Sequence, residues 1–349
     1  WVIVLPRGHQ RSESPFPSRG KQLFFGLMSD HRLDAGNPPR LGPRVGILGA
    51  GRTRQGLGPF LAQWLERSGA CVAGIAGRDR SRADAVSVSL ALQLGHPVAA
   101  FEGPIELAQE VDGLVVACPV DGHLAGLDAA LRAGVACLCE KPLVAASDLG
   151  EALERVQAFR DDGLLLVENC QWPFTLSAWR ELYPEEAQQP VRSLAMRLSP
   201  ASPGRAMVED SLSHVISMLQ ALVPLTAAAE ICSVVQSDAG ARAERNLVRF
   251  EIADGNGNVA IELHLQCCPQ QPRPAWYAVN GRRLERRIGA KYEISFAADD
   301  GRVVNVQDPL GLLVYGFVAN LKRTQLERPH DLDAIELRLR LYAGILSCL

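Results

Sequence analysis

Two short stretches hold the side chains best suited to chemistry. In "ACLCEKPLVA" (136–145) an apolar run ends on Glu140, Lys141 and Pro142. A carboxylate and an ammonium are costly to bury unpaired, so they belong at the mouth of a strand rather than within it. Proline has no N–H to give a sheet, so the strand must stop there, and it biases Lys141 toward extended backbone. A lysine presented this way can donate to a hydroxyl or carbonyl oxygen of a substrate, or exchange a proton with it. The plainer reading is a surface lysine paired with Glu140.

The second stretch is "VEDSLSHVISML" (208–219). At ~100° per residue in a helix, Leu212, Val215, Ile216 and Leu219 gather on one side. Asp210, His214, Ser217 and Ala221 gather on the other, so Asp210 and His214 share a face one turn apart. Imidazole is the side chain whose proton exchange falls nearest neutral pH. Taken alone, the same pattern fits an amphipathic helix facing water. The remaining histidines offer less: His264 sits in the strand-like "AIELHLQ" and reads as structural, while His9, His31, His96 and His330 fall in loops or the N-terminal tail.

A third stretch, "VGILGAGRTRQGLG" (45–58), runs from a buried-looking strand through glycines toward a helix. That is the context of a dinucleotide-binding turn. Gly49 permits the tight turn, Gly51 lets backbone approach a pyrophosphate, and the helix N-terminus supplies N–H groups to the anion. Arg54 replaces the third glycine of GxGxxG. Either Gly56 or Gly58 takes over the helix packing, or the helix starts later. Arg52, Thr53 and Arg54 are the loop residues within reach of phosphate; the alternative is a glycine-rich turn with solvated arginines. The next strand ends Ala76-Gly77-Arg78-Asp79. Arg78 at the ribose-reading position suits a 2′-phosphate and NADP, whereas Asp79 there suits NAD. The expected cofactor is NADP or NAD, leaning to NADP.

Something must bring these three stretches together. From Arg44 to about Cys170, apolar strands alternate with amphipathic helices, and the last of these helices has Ser147 as its expected N-cap. Strands apolar on both faces indicate a parallel sheet covered on both sides, an α/β, doubly wound Rossmann arrangement. Beyond residue 171 the rhythm changes to strands separated by Asp254-Gly255-Asn256-Gly257, Asn280-Gly281 and Asp300-Gly301, which are hairpin signals. This is an α+β domain with a mainly antiparallel sheet. The expected division is a disordered extension over 1–43, or an upstream-start artefact with Met28 as the start; a dinucleotide-binding domain over 44–170; and a substrate-binding and oligomerisation domain over 171–349, its last helix packing back on the first domain.

The chain's 349 residues, 47% hydrophobic and 21% charged, suit a packed globular protein. The net charge of -3 argues against a nucleic-acid partner, and no apolar run reaches the ~18 residues of a membrane span. Nine scattered cysteines without metal-site spacing point to a reducing, cytoplasmic compartment and to no metal.

With these residues in view, the sequence resembles the glucose–fructose oxidoreductase / inositol dehydrogenase / MocA-like NAD(P)-dependent oxidoreductases. "VGILGAG" matches that family's first strand and turn. "VDGLVVACPVDGHLAGLDAALRAGVACLCEKPL" resembles its signature region, with Pro119, His123 and Glu140-Lys141-Pro142 in place, and "VEDSLSHVISML" resembles its Asp-x-x-x-His helix. The likeness spans roughly 44–349, and its glycine loop is atypical. It implies that Lys141 binds the reacting oxygen, that His214 is the acid/base, and that Asp210 orients the site. It places Pro119 and His123 beside the nicotinamide and Glu140 near its ribose; Asn169 either lines the cleft or serves as a strand-end turn. The implied activity is hydride transfer between nicotinamide and a hydroxyl or carbonyl of a sugar or polyol, in a homo-dimer or tetramer. Two alternatives are an NAD-dependent glycosidase on the same fold and a non-catalytic nucleotide-binding regulator.

Overall fold

Short apolar strands that must hide both faces set the first half of the chain. β1 (Arg44–Leu48), β2 (Cys71–Ala76), β3 (Ala99–Phe101), β4 (Gly113–Val116), β5 (Ala136–Cys139) and β6 (Leu166–Glu168) form a parallel sheet in the order β3-β2-β1-β4-β5-β6. All residues of β4 and β5 are buried. The connecting helices are α1 (Gly58–Arg67), α2 (Arg80–Leu94), α3 (Pro104–Gln109), α4 (His123–Ala133) and α5 (Leu149–Asp161). The computed structural model describes residues 42–51, 56–237, 240, 242–255, 257–323 and 331–349. The expectation for an N-terminal extension therefore lies outside the described residues, apart from its last two positions, and so do those for Arg52, Thr53 and Arg54.

The glycine question is answered by contact distances. Gly49 has φ +90°, and a Cβ there would lie 2.5 Å from the Cys118 backbone nitrogen. Gly58 opens α1, and a Cβ on it would lie 2.5 Å from the Ala50 backbone. Gly58 thus holds the helix against the turn, the role left open between Gly56 and Gly58. The expected Ser147 cap is not formed. Ser147 lies in a 3-10 turn (Ala146–Asp148), and its hydroxyl donates to Asp148 Oδ1 (2.6 Å), so α5 begins at Leu149 without a side-chain cap.

The second half contains α6 (Leu176–Leu182), β7 (Ser193–Leu198), α7 (Arg205–Leu222), β8 (Glu230–Ser237), β9 (Arg245–Asp254), β10 (Gly257–Gln266), β11 (Trp276–Val279), β12 (Arg282–Ile288), β13 (Ile294–Ala298) and β14 (Val303–Val306). Their sheet runs β14-β13-β12-β11-β7-β10-β9-β8, antiparallel throughout except for β7 beside β10. Alternation along its strands turns Val248, Phe250, Ile261, Leu263, Tyr277 and Leu284 inward, against Leu212, Val215, Ile216 and Leu219 of α7.

Two closing helices bind the halves. α8 (Pro309–Leu321) packs Leu313, Val314 and Phe317 into the core of the parallel sheet. Its cap, Asp308, accepts from Leu310 N (2.9 Å) and from Trp64 Nε1 of α1 (3.1 Å). α9 (Leu332–Ser347) faces both cores, with Ile335 and Leu339 toward the parallel sheet and Leu341 and Ile345 toward the larger one. Residues 42–349 are one compact unit. No described helix is long and apolar enough to cross a membrane.

Replacing Gly58 with valine forces a side chain into the Ala50 backbone. The expected loss is about 1–3 kcal/mol, in line with other overpacked sites, and is read from chemical denaturation.

Candidate active site

The carboxyl ends of β1, β4 and β5 are held in line by main-chain hydrogen bonds. Gly49 N donates to Ala76 O (2.9 Å), Ala117 N to Leu48 O (2.8 Å) and Glu140 N to Val116 O (2.8 Å). β1 and β4 are neighbours in the sheet but not in the chain, so the strand order reverses between them. Such a switch point opens the crevice where ligands of doubly wound sheets bind. The turn at Gly49, the segment through Pro119 and the pair Glu140-Lys141 all reach this one edge.

Lys141 extends from it to α7. Its ammonium donates to Asp210 Oδ1 (2.5 Å) and to the Asp210 carbonyl oxygen (2.8 Å). The lysine side chain is 13% exposed, whereas the Asp210 carboxylate is 50% exposed. Burial opposes ionisation of Asp210, but the Lys141 charge and hydrogen bond outweigh it and hold its pKa below the ordinary carboxylate value, with help from His214 and Arg273.

His214 lies one turn further along α7, edge-on to Trp172 with ring centroids 6.5 Å apart. Its Nδ1 is buried without a partner. Burial, then the positive charges of Lys141 and Arg286, drive its pKa well below 6.5, against the pull of Asp210. The ring is therefore neutral at pH 7 and able to accept a proton.

Glu140 faces the opposite pressure. Burial raises its pKa to about 7, with Asp210 and Glu168 adding to the shift and an Asn169 hydrogen bond and Lys141 opposing it. Asn169 Nδ2 donates to Glu140 Oε1, and Asn169 N donates to Cys139 O (2.7 Å). Asn169 is thus a buried support for Glu140, its own Oδ1 left without a partner.

Behind Lys141 lies a set of residues that sequence reasoning did not single out. Glu168, at the end of β6, accepts from Leu143 N (3.2 Å) and from Arg338 Nε of α9 (2.5 Å). Arg338 Nη1 also donates to Gln220 Oε1 of α7. The Glu168 and Arg338 side chains are 1% and 10% exposed. One ion pair therefore fixes the turn after Lys141 to both α7 and α9. A glutamate at the end of an apolar strand was the available signal; Arg338, in "LRLRL", carried none. His123 works in the same place. It is 1% exposed, with Nδ1 3.0 and 3.1 Å from the Pro142 and Leu143 carbonyls and Nε2 2.9 Å from that of Cys118. Its nitrogens are thus turned to the main chain rather than to a ligand, and it joins the loop after β4 to the turn after Lys141.

At the cofactor end, Asp79 is occupied. Its carboxylate caps α2, accepting from Arg82 N (2.9 Å). Arg78, beside it, is exposed and has no side-chain partner among the described residues. Pro119 is exposed at the head of a 3-10 turn (Val120–Gly122). A strand end, a glycine turn with no space for a Cβ, and a helix start held close by Gly58 fit a dinucleotide.

Residues 43–169 match the model of an oxidoreductase family with an NAD-binding Rossmann fold, GFO_IDH_MocA. The match covers the parallel-sheet half of the chain and supports an NAD-binding Rossmann domain of the oxidoreductase kind. Solved structures extend the likeness of fold across both sheets. UDP-N-acetylglucosamine 3-dehydrogenase GnnA from Acidithiobacillus ferrooxidans is 20% identical with a TM-score of 0.66, covering 88% of this chain and 98% of that one. A variant of KijD10, a 3-ketoreductase from Actinomadura kijaniata in complex with TDP-benzene and NADP, is 20% identical with a TM-score of 0.64, covering 88% and 96%. An oxidoreductase from Thermotoga maritima is 17% identical with a TM-score of 0.63, covering 88% and 95%. No curated protein matches.

Two stability measurements test this arrangement. Arg338→Met strands Glu168 as a buried charge and is expected to cost about 3–5 kcal/mol in denaturant titrations. Glu140 gives a pH signature. Its folded pKa of about 7 lies above the ordinary 4.5, so the folded state holds the extra proton between these values and stability falls as pH rises through them. Glu140→Gln should therefore raise the melting temperature above pH 7 and lose that gain below pH 4.5.

Proposed function

We propose that this protein is a dehydrogenase that moves hydride between NADP and a hydroxyl-bearing carbon of a sugar or polyol, with Lys141 and His214 at the reacting oxygen. The observation that carries this reading is the Lys141–Asp210 contact one helical turn from a neutral imidazole. An ammonium has three N–H groups. Two of those on Lys141 are taken by Asp210 Oδ1 and the Asp210 carbonyl, which leaves one for a substrate oxygen.

The nicotinamide, when bound, supplies the hydride acceptor or donor. Gly49, Gly51 and the start of α1 would hold its pyrophosphate, while Pro119 and Glu140 line the same strand edge. In the oxidative direction the His214 ring accepts the hydroxyl proton; its buried Nδ1 leaves Nε2 for this exchange. Lys141 donates to the same oxygen and stabilises negative charge as the proton leaves. Asp210 keeps the ammonium aimed. In the reductive direction the imidazolium returns the proton to the new alkoxide.

Preference for NADP rests on Arg78 and Asp79. The Asp79 carboxylate is engaged by the α2 N-terminus, whereas the Arg78 guanidinium is available to a 2′-phosphate. We also infer a homo-oligomer formed through the outer face of the larger sheet. There the Trp276 ring lies tilted against His264, centroids 5.3 Å apart, with the Arg283 guanidinium 4.7 Å from its own centroid. A monomeric mass by light scattering removes that part of the reading.

Lys141→Met and His214→Ala should each lower kcat by roughly 10²–10⁴ in assays with polyols and amino sugars, with cofactor affinity retained. Variants that keep full turnover would contradict these roles. Arg78→Ser should weaken NADP binding and spare NAD, as read by thermal shift with each nucleotide; equal loss for both rejects the NADP preference.

A further inference from the structure

Among the described residues, several arginines that are partly or fully covered are matched by acids. Arg155 is held by Asp128, Arg160 by Asp333 and Glu336, and Arg338 by Glu168. Arg286 is different. It stands on the inner face of β12, in line with Leu284, where the strand leaves the hydrophobic core. Its Nη2 donates to the Arg273 carbonyl (2.8 Å), and its guanidinium carbon lies 5.2 Å from the Trp172 ring centroid. Its Nε is sealed from solvent with no hydrogen-bond partner. Among the described residues it has no carboxylate partner. A buried guanidinium is ordinarily paired, because leaving the charge uncompensated is costly.

The surroundings add positive charge instead of relieving it. Burial, together with the Arg273 charge, lowers the pKa of Arg286 to about 10. Arg273 in turn acts on Asp210, and Arg286 acts on His214. The one acid in this group, Asp210, is already engaged by Lys141. Trp172 connects the set physically, with His214 edge-on to its ring and Arg286 over it. Beside the imidazole, across the single ring of Trp172, the structure therefore places a guanidinium with no acid partner among the described residues and with an Nε that has no hydrogen-bond partner.

We propose that the substrate carries an oxyanion, a carboxylate or a phosphate, that binds Arg286 with support from Arg273 while its reacting carbon lies at Lys141 and His214. This rests on the dehydrogenase reading for the position of the reacting carbon, but the anion site itself is tested separately. Planar guanidinium suits either anion, since both can accept two parallel N–H donors. Trp172 supplies a flat wall beneath the ion pair. The site gives a role to an arginine set between Leu284 and Ile288 on the inner strand face, and it makes neutral polyols the poorer substrates.

The test is calorimetric titration of the full chain, saturated with NADP, with three probes: glucuronate, glucose 6-phosphate and neutral glucose. At least one anion is expected to bind about tenfold or more tighter than glucose, and the one that does tells carboxylate from phosphate. Arg286→Leu should erase that advantage, and Arg286→Lys should restore part of it. Without an anion, Arg286→Leu should melt no lower than the wild type, because it removes an uncompensated charge. Glucose binding as tightly as both anions, binding of neither anion, or unchanged anion affinity in Arg286→Leu overturns the proposal. Cofactor affinity on the same samples separates the two readings. Arg286-dependent anion binding in a protein that takes up no nicotinamide nucleotide leaves the anion site standing and removes the dehydrogenase.

Discussion

One ion pair organises this molecule: the ammonium of Lys141, at the end of a parallel strand, grips Asp210 on a helix of the other sheet's layer by both carboxylate and carbonyl. The chemistry proposed for these residues depends on that grip. It fixes the lysine's remaining N–H, it keeps Asp210 ionised, and it adds a positive charge to the burial that already holds the His214 imidazole neutral. With its aspartate half exposed, the pair contributes little to stability. Here its value is positional, since it determines where one donor and one proton acceptor stand relative to each other.

A second, better buried layer makes the first possible. Glu168 receives the main chain just after Lys141-Pro142 and passes the constraint to Arg338, which also holds Gln220 of α7. His123 ties the same turn to the loop after β4, and Asn169 braces Glu140. These groups touch the main chain and one another rather than the cleft. Their burial makes each hydrogen bond costly to lose, so the turn carrying Lys141 has few alternatives. α8 and α9 complete the frame by joining the cores, and so limit the freedom of the two sheets to drift apart.

Much of this was legible from the sequence, for reasons that differ from place to place. Strands β4 and β5 were readable because a strand buried on both faces must be apolar throughout. Lys141 stood out because charge at the end of such a strand is expensive and a proline fixes where the strand stops. Asp210 and His214 shared a face by helical period alone, though the period could not tell a cleft from solvent. Gly56, Gly58 and a later helix start all stood open, and only the 2.5 Å approach to Ala50 selected Gly58. Ser147 was misread as a cap because a 3-10 turn intervenes before α5. Arg338 and Arg286 were invisible for a common reason. Each is an arginine in a pattern that suits a solvated surface, and its burial is decided by elements far away in the chain: β6 for Arg338, the Trp172 turn for Arg286.

The most direct measurement is the titration of the His214 ring by NMR, using protein carrying isotope-labelled histidine, in the wild type and in Lys141→Met. The wild-type ring is expected to stay neutral at pH values well below 6.5, and the variant to take up its proton at higher pH because the adjacent ammonium is gone while Asp210 remains. A ring that titrates near 6.5 in both proteins would contradict this, since Lys141 and His214 would then not share one site.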